Sequence, residues 1–463
     1  MNFSIAVICL KDDGTEARHD VLTVTKDQLV METLGLTVAE GKALLAGVQA
    51  AVVDEQAATY LKQHRACETC GKPHRSKDPR QSTVHTVFGP VAVPNPRWHR
   101  CPCQNTGPLT FRPTAQWLTS HTSPELLYLE SKWGSLIPYA KVAELLTDVL
   151  PVAQAMRAET VRLHVHATAN RLEQALGDER ECLFDGSEED WPAQPTPDGP
   201  MTVGIDGGFV RARRKAGFFE VIAGKSIVAF KREEAEAHPS AKRFAFVQTY
   251  DTKPRRRVWE LMKSQGLQEN QEVLFLSDGG ETVRNLQAYL HPSSEHYLDW
   301  FHVTMRLTVM TQQNKALIEE DASRGTDVQD TLESVKHYLW HGNVEDALER
   351  LERLSFDLEI NHRRSAAVAK LCRSVSEFDT YIRNNRAFIP NFGERYRQGD
   401  TISTAFVEST INQVVSKRFV KKQQMQWTPE GAHLLLQTRT KVLDGDLDAA
   451  FRDWYPQFRQ AAA

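Results

Sequence analysis

The first part of the chain alternates between hydrophobic and polar residues in two short segments. Residues 3–10 and 19–24 alternate on either side of the turn-like sequence Asp12-Asp13-Gly14, and this pattern predicts a β-hairpin. Apolar residues then recur at helical spacing over residues 38–62, which predicts a helix. One hairpin and one helix are therefore expected over residues 1–65.

Residues 123–176 show helical spacing in three successive stretches, with a break at Pro151. Three helices with short connections are compatible with a helix-turn-helix, in which Arg157 and Arg162 are candidate DNA contacts. A helical packing unit without DNA contacts fits the same pattern equally well. The acidic and Pro-rich residues 185–200 then predict a linker.

Beyond the linker the pattern changes to short apolar runs that are typical of strands. Three successive strands are predicted from MTVGIDGG, FVRARRK and FFEVIAGKSIVAF, the last two joined at Ala216-Gly217. A helix near 254–266 precedes the buried strand EVLFLSD, and a helix near 281–290 precedes the strand-like HYLDWFHV. Residues 303–400 are almost wholly helical in pattern, and a further helix surrounds Glu408. The whole pattern predicts a multidomain α+β fold.

Length and composition fit a multidomain globular protein. At 463 residues, with 41% hydrophobic and 25% charged residues, the chain is long enough for about three domains. The sequence shows neither a signal peptide nor an uninterrupted apolar run of about 18 residues, so we expect a cytoplasmic location and no membrane partner. The net charge of −4 does not by itself indicate nucleic-acid binding, for which local basic clusters matter more.

Four of the seven cysteines form two pairs, Cys67 with Cys70 and Cys101 with Cys103. This arrangement resembles a zinc ribbon, in which four thiolates close a structural Zn²⁺ site. The second pair has a single intervening residue, so His74 or His99 could replace one thiol, and reduced surface cysteines are the alternative. A ribbon here would place the following basic residues on a DNA backbone: Arg75, Lys77, Arg80, Arg97 and Arg100.

Three carboxylates are the strongest candidates for catalysis. Asp206 in VGIDGG and Asp278 in LFLSDGG lie at or near the ends of strand-like runs, and Glu408 in TAFVESTIN lies on an amphipathic helix. Ligands of open α/β sheets bind at strand ends, and flanking glycines allow a bulky group to approach. Hard oxygen ligands from separate elements suit two Mg²⁺ (or Mn²⁺) ions about 3.5–4 Å apart, which promote phosphodiester displacement.

Three basic clusters lie near the segments that carry these carboxylates. They comprise Arg211, Arg213, Arg214 and Lys215; Lys253, Arg255, Arg256 and Arg257; and Lys417, Arg418, Lys421 and Lys422. Any one cluster has an ordinary interpretation as a solvated surface. Because three of them accompany the acidic motifs, we expect them to neutralise phosphates of double-stranded DNA.

Several motifs make the second half of the chain resemble a known family. They are Gly204-Ile205-Asp206-Gly207-Gly208, Ser277-Asp278-Gly279-Gly280, Asp299-Trp300-Phe301-His302, Phe406-Val407-Glu408-Ser409 and Gln426-Trp427-Thr428-Pro429-Glu430-Gly431. With these motifs the chain resembles bacterial insertion-sequence transposases of the DDE class, closest to the ISKra group and related to the ISL and mutator-like groups. The resemblance begins at residue 201 and ends in the region of residue 445, and it is less specific for the N-terminal part.

The resemblance implies a ribonuclease-H-like catalytic domain with Asp206, Asp278 and Glu408 as the metal-binding triad. It matches Asp299 and His302 to an Asp-x-x-His element. Asp299 could then be a further metal ligand, while His302 could orient DNA or a water molecule, or could cap the following helix.

The resemblance also implies how the protein acts. It would bind terminal inverted repeats as a homodimer or higher oligomer in the nucleoid, cut the element ends, and transfer the strands to target DNA. The helices before Glu408 would form an insertion domain, in which Trp340 is either a DNA contact or, as we favour, a core aromatic. A structure-selective nuclease of the same fold and a non-catalytic, zinc-dependent DNA-binding regulator are the alternatives.

The expected domain layout follows from these patterns. It consists of an N-terminal hairpin and helix (1–65), a zinc ribbon (66–115), a helical DNA-binding domain (116–184), a linker (185–200), the first part of the catalytic domain (201–302), a helical insertion (303–400) and the C-terminal catalytic part (401–463).

Overall fold

A computed structural model gives the fold. It describes all residues except 12–13, 105, 154–155, 181–182, 184–198, 214–216, 230–240, 281–285, 287–289, 291–293, 362–365, 404, 421–424 and 461–463. The described chain is mixed α+β, as predicted. It divides into two compact units, residues 1–168 with 446–463, and residues 169–445. Residues 185–198 of the predicted linker and most of the predicted helix near 281–290 lie outside the described residues.

The first unit begins with the predicted hairpin and helix. Strands β1 (Asn2–Leu10) and β2 (Glu16–Thr25) pair antiparallel, and helix α1 (Val38–Gln63) packs against them. Thr37 and Glu40 form a capping box, in which each side chain accepts a hydrogen bond from the backbone N–H of the other residue. The Thr-x-x-Glu sequence therefore fixes the first turn of α1, and the predicted hairpin and helix are confirmed.

Helix α1 belongs to a longer apolar stretch, Met31–Gln63, that could cross a membrane by length and composition. The most apolar window of this stretch has a mean hydropathy of 1.4, and 6% of it is buried. Core helices of soluble proteins pass the same test, so the finding is weak. The expectation of no membrane partner, which came from a search for an uninterrupted apolar run, stays a prediction.

Short strands and three helices complete most of the first unit. They are β3 (Ser76–Asp78), β4 (Gln81–Thr86), β5 (Gly89–Pro94), β6 (Arg97–His99), β7 (Thr110–Phe111), the 3₁₀ turn Pro113–Gln116, α2 (Pro124–Leu136), α3 (Tyr139–Val149) and, as far as Thr168, α4 (Ala158–Leu176). Strands β4 and β5 form a hairpin, and β3, β6 and β7 form a small sheet in the order β3-β6-β7.

The last described helix, Leu447–Trp454 (α13), also belongs to the first unit. It packs against α2, with the ring of Phe451 at 5.3 Å from that of Tyr128. Arg459 lies nearby and pairs with Glu125 at 3.1 Å. The segment from residue 446 onward therefore differs from the expected layout, which assigned it to the catalytic part.

A five-stranded sheet forms the centre of the second unit. Its strands are β8 (Met201–Arg211), β9 (Phe218–Val228), β10 (Lys242–Val247), β11 (Val273–Ser277) and β12 (Ser294–Leu298), with helix α5 (Pro254–Ser264) between β10 and β11. They lie in the order β10-β9-β8-β11-β12. The first three strands in sequence form an antiparallel meander, whereas β11 runs parallel to both β8 and β12.

The meander corrects the predicted strands. MTVGIDGG and FVR are one continuous strand, because the backbone of Gly207 and Gly208 stays paired with β9 instead of turning. FFEVIAGK is part of β9 as predicted, but the third strand of the meander is Lys242–Val247, which the sequence analysis did not identify.

The two faces of this sheet are covered by different elements. Val203, Ile205 and Phe275 form a core on one face with residues of α5, such as Val258 and Met262. The side chains at alternate positions point to the opposite face, because successive residues of a strand alternate. On that opposite face Ile227, Leu276 and Tyr297 form a smaller core with Val407.

Helices make up the rest of the second unit. They are α6 (Trp300–Glu320), α7 (Ala322–Trp340), α8 (Val344–Asn361), α9 (Ala366–Asn385), the 3₁₀ turn Arg386–Phe388, α10 (Phe392–Gln398), α11 (Ala405–Ile411), the π-helix Asn412–Val420 and α12 (Pro429–Leu443). Apolar residues at helical spacing on α6 to α9 form one core, and Trp340 packs against it with its ring 5.1 Å from that of Trp300. The interpretation of Trp340 as a core aromatic is confirmed.

Candidate active site

Two of the predicted acids lie side by side on neighbouring parallel strands. Ile205 of β8 pairs with Ser277 of β11, so the residues that follow them, Asp206 and Asp278, are neighbours. Asp206 Oδ1 accepts a hydrogen bond from the backbone N–H of Gly207 at 2.8 Å. Asp278 Oδ1 accepts one from the N–H of Gly280 at 2.9 Å, so the Asp-Gly-Gly turn holds this carboxylate.

The Asp-x-x-His element follows the next strand, β12, and lies close to these two acids. Asp299 follows β12, and its backbone N–H donates to the carbonyl of Ser277 at 2.8 Å. Its buried Oδ1 accepts from the N–H of Phe301 at 2.8 Å, so Asp299, and not His302, caps α6. His302 Nε2 lies 3.7 Å from Asp299 Oδ2 and 4.0 Å from Asp206 Oδ1.

The electrostatics of Asp206 reflect this crowding. Burial raises the pKa of the Asp206 carboxyl above its ordinary value, while the nearby His302 lowers it. The negative charges of Asp278 and Asp299 raise the same pKa further. Carboxylates that are crowded in this way suit a bound cation, because its charge would relieve the repulsion among them.

Glu220 of β9 is a further acid near Asp278, but it approaches from the sheet face opposite to Asp206, because it pairs with Phe209 and reaches over Gly207. Burial raises the pKa of its carboxyl, and so does the charge of Asp278, which lies on the other side of β8. A Cβ atom on Gly207 would lie 2.8 Å from Glu220 Oε1, so the missing side chain lets the glutamate extend over β8. Only the β8–β9 pairing reveals this approach; no motif in the sequence marks it.

Glu408 lies on a helix that covers the same face of the sheet. Just before it, Val407 packs with Leu276, which pairs with Gly204 two positions before Asp206. Further along, a Cβ atom on Gly208 would meet Ile411 at 3.4 Å. Gly204, Asp206 and Gly208 lie on one face of the sheet, because alternate residues of a strand point to the same side. Helix α11 therefore runs alongside β8 on this face, and Glu408 lies between the levels of Gly204 and Gly208.

The carboxylate of Glu408 nevertheless does not complete a three-ligand group with Asp206 and Asp278. Its side chain is exposed. Within the described part of the chain, no group of three His, Cys, Asp or Glu ligand atoms that all lie within 4.8 Å of one another contains Asp206, Asp278 or Glu408. The backbone thus brings the three predicted acids to one face, but their ligand atoms are not gathered.

The four paired cysteines do come together. The Sγ atoms of Cys67, Cys70, Cys101 and Cys103 all lie within 4.8 Å of one another. Those of Cys67 and Cys103 are 3.6 Å apart, and those of Cys70 and Cys101 are 3.3 Å apart. Four thiolates about 2.3 Å from a central Zn²⁺ require similar separations, so this cluster could hold a metal ion such as zinc.

Neither histidine is needed to complete this set of four sulfur ligands, whose pKa values shift in opposite directions: that of Cys67 is lowered, while the neighbouring thiols raise that of Cys103. His74 Nδ1 lies 3.1 Å from the carbonyl of His99, so it has a local backbone partner. Backbone hydrogen bonds from Cys70 and Thr69 lower the pKa of Cys67 to about 6, which favours the thiolate that binds metals.

The predicted DNA-binding residues differ in their exposure to solvent. Arg211, Arg213 and Lys417 are exposed, and Arg255 and Arg256 are half-buried. Arg256 pairs with Glu260 at 2.6 Å and donates to the carbonyl of Leu176. The predicted contacts Arg214, Lys215, Lys421 and Lys422 lie outside the described residues.

Arg257 and Arg418 correct the prediction, because both are buried and cannot reach a phosphate as the chain is folded. Arg257 pairs with Asp251 at 2.9 Å and with Glu173 at 2.8 Å. The guanidinium of Arg418 lies 5.2 Å from the ring centre of Trp427.

Glu173, Asp251 and His433 form a second group whose ligand atoms lie within 4.8 Å of one another. Both of these carboxylates already pair with the guanidinium of Arg257, and His433 Nε2 lies 3.5 Å from Glu173. A cation of the protein itself therefore neutralises this group, and we assign it a structural role.

No protein-family model matches the chain, and a search of curated proteins finds no match.

Proposed function

We propose that this chain is a DNA transposase that cuts and joins phosphodiester bonds with divalent metal ions. The observation that carries the proposal is the placement of Asp206 and Asp278 side by side, on the sheet face that the helix of Glu408 covers. The strand order β10-β9-β8-β11-β12, an antiparallel meander followed by parallel strands, supports a ribonuclease-H-like catalytic domain.

The triad would hold two Mg²⁺ or Mn²⁺ ions, which when bound activate the attacking oxygen and stabilise the leaving oxygen. Asp206 and Asp278 fit this role because they are adjacent and crowded by further acids. Because Glu408 is exposed, its role requires the side chain to turn toward Asp206 when metal and DNA bind. Asp299 would hold His302 in place as well as cap α6.

The chemistry would take place in two displacements. In the first, the carboxylates would orient a water molecule whose oxygen attacks phosphorus and whose proton passes to solvent, while the bond from phosphorus to the 3′ oxygen breaks. His302, with Nε2 4.0 Å from Asp206, would supply the proton that the leaving 3′ oxygen takes up. In the second, the freed 3′-hydroxyl would lose its proton to solvent and attack a phosphorus of the target DNA, whose own 3′ oxygen leaves and takes up a proton from solvent.

The remaining features would serve DNA binding. The exposed Arg211, Arg213 and Lys417 would neutralise phosphates near the acids, so binding should weaken steeply with salt. The first unit, with its four-cysteine cluster, would bind the terminal inverted repeats, and two or more copies would bring the element ends together.

The test uses duplex DNA from both flanks of the coding region, incubated with Mg²⁺. We expect cuts at the element ends that leave a 3′-hydroxyl, and products in which these ends are joined to target DNA. Asp278→Asn should abolish both reactions and leave DNA binding intact, whereas Asp330→Asn, an exposed aspartate on α7, should change neither.

Two other outcomes would favour the alternatives. Metal-dependent cutting without preference for the ends and without joining would indicate a structure-selective nuclease. DNA binding without any cutting by the unaltered protein would indicate a non-catalytic regulator.

A further inference from the structure

Arg306 is an exposed arginine beside the acidic cluster, and the sequence analysis did not select it. It lies on α6, one turn after His302, and residues four apart share one face of a helix. His302 in turn lies 4.0 Å from the Asp206 carboxylate. The chain therefore places a permanent cation at the edge of a group of acids.

Tyr381 holds this arginine from the facing helix α9. The Arg306 guanidinium carbon lies 4.2 Å from the centre of the Tyr381 ring, a close cation–π contact. The Tyr381 hydroxyl donates to the backbone carbonyl of Asp278 at 2.9 Å. One tyrosine thus links the position of the arginine to the backbone that carries a predicted catalytic acid.

The charges around Tyr381 agree with this placement. Burial raises the pKa of Tyr381, so the ring stays neutral, and the positive charge of Arg306 acts in the opposite direction. The charges of Asp278 and Asp299 also act on Tyr381, which shows that the arginine, the tyrosine and the acids share one small region.

A guanidinium held in this way suits a phosphate ligand. Its N–H donors form a planar fork, and the spacing of two of them matches two phosphate oxygens. The contact with Tyr381 also reduces the freedom that a long side chain would lose on binding. A DNA backbone that approaches several carboxylates needs such a cation, because the acids alone would repel it.

We propose that Arg306, held by Tyr381, binds a backbone phosphate of DNA next to the Asp206–Asp278 cluster. The inference depends on the proposed function in that DNA is taken as the ligand. The competing explanation is that Arg306 only fastens α6 to α9, in which case its charge has no part in DNA binding.

The test measures the affinity for a duplex DNA at several KCl concentrations, with Ca²⁺ in place of Mg²⁺ so that binding is separated from cutting. Arg306→Met keeps the aliphatic stem and removes the charge. It should reduce the slope of log affinity against log salt by about 1, the change expected when one phosphate contact is lost. Arg353→Met, an exposed arginine on α8, is the matched control and should keep the slope of the unaltered protein.

Two further variants guard against a folding defect. Arg306→Lys keeps the charge without the planar stack, so it should keep the slope while weakening the affinity. Tyr381→Phe keeps the ring and should keep the slope, whereas Tyr381→Leu should weaken binding because the arginine loses its support. An unchanged slope for a folded Arg306→Met protein would overturn the inference.

Failure of this inference can be distinguished from failure of the proposed function. A smaller slope together with no cutting by the unaltered protein would leave the phosphate contact standing and remove the transposase. Normal cutting together with an unchanged slope would remove only the phosphate contact.

Discussion

Asp206 is the residue in which function and stability oppose one another most directly. Burial and the charges of Asp278 and Asp299 raise its pKa, so the ionised carboxylate is less favourable in the folded chain than in the unfolded chain. For an acid with a raised folded pKa, the stabilising contribution is complete below the unfolded pKa and is lost as the pH rises through the folded pKa. At neutral pH, without a metal ion, the charge of Asp206 therefore destabilises the fold.

We expect Asp206→Asn to stabilise the metal-free protein at pH 7 by about 1 kcal/mol, a common size for a single stabilising substitution. The asparagine removes the repelled charge, and its oxygen can still accept the hydrogen bond from Gly207. Urea unfolding with and without EDTA at pH 4 and pH 7 measures the effect, which should shrink at the lower pH. An equal or lower stability at pH 7 would contradict the electrostatic account.

Glu408 should behave differently, because its side chain is exposed and makes little contribution to packing. Glu408→Gln is expected to change the free energy of unfolding by less than about 0.5 kcal/mol. It should reduce metal-dependent DNA cutting by more than about 100-fold, beyond the loss typical of an outer-shell partner of a metal. Glu319→Gln, an exposed glutamate on α6, is the control, and cutting that survives in Glu408→Gln would remove this residue from the triad.

Single residues also show what the sequence could and could not predict. The apolar pattern placed Asp206 and Asp278 correctly as neighbours on adjacent strands, but only Asp278 follows the end of its strand, whereas Asp206 lies in the middle of β8. Glu220 was missed because its approach depends on a glycine in the paired strand. Arg257 was misassigned because a run of basic residues does not reveal which of them faces inward.

At the scale of elements, Arg257 joins three segments that are distant in sequence. Its guanidinium pairs with Asp251 after β10 and with Glu173 on α4, and it donates to Gln437 on α12 at 2.7 Å. Burial raises the pKa of Glu173, but hydrogen bonds from His433 and Arg257 outweigh burial and hold it at about 2. This pairing therefore stabilises the fold above the ordinary pKa of a glutamate and is lost as the pH falls toward 2.

We expect Arg257→Met to lower the free energy of unfolding at pH 7 by about 3–5 kcal/mol, because it removes the guanidinium that pairs with two carboxylates in a buried position. Arg255→Met, two residues earlier and only half-buried, is the matched control and should cost far less. Guanidinium chloride unfolding at pH 7 and near pH 3 gives both values. The difference between the two variants should narrow at the lower pH, and a constant difference would argue against the ion pairs as its cause.

The element pattern also explains why the predicted meander was only partly right. β8 was divided in two because Gly207-Gly208 resembles a turn in sequence, although its backbone remains paired throughout. β10 was missed because KRFAFV is short and begins with two charged residues. Both errors concern strand pairing, which depends on residues far apart in the chain, whereas the capping box of α1 was predictable from four adjacent residues.

At the scale of the whole molecule, the division into units falls inside α4, between Thr168 and Ala169. The predicted boundary lay further along the chain, in the Pro-rich stretch after residue 184. The composition of the sequence changes there, but the boundary between compact units depends on which apolar faces pack against one another. For the same reason the local sequence does not indicate that the segment 446–463 belongs to the first unit.

Metal removal should therefore affect the two units unequally. The four cysteines of the cluster all lie in the first unit, on either side of β3 to β6. We expect the purified protein to carry one Zn²⁺ per chain, since four thiolates complete a closed site. A strong chelator should make the region between Cys67 and Cys103 sensitive to protease, because folding of a small ribbon is linked to its metal. Amide exchange of β8 to β12 should remain unchanged.

Two variants serve as controls. Cys101→Ser should reproduce the loss of protection, whereas Cys372→Ser, at a cysteine outside the cluster, should not. If the zinc-free protein is equally protected throughout, the cysteines form no metal site.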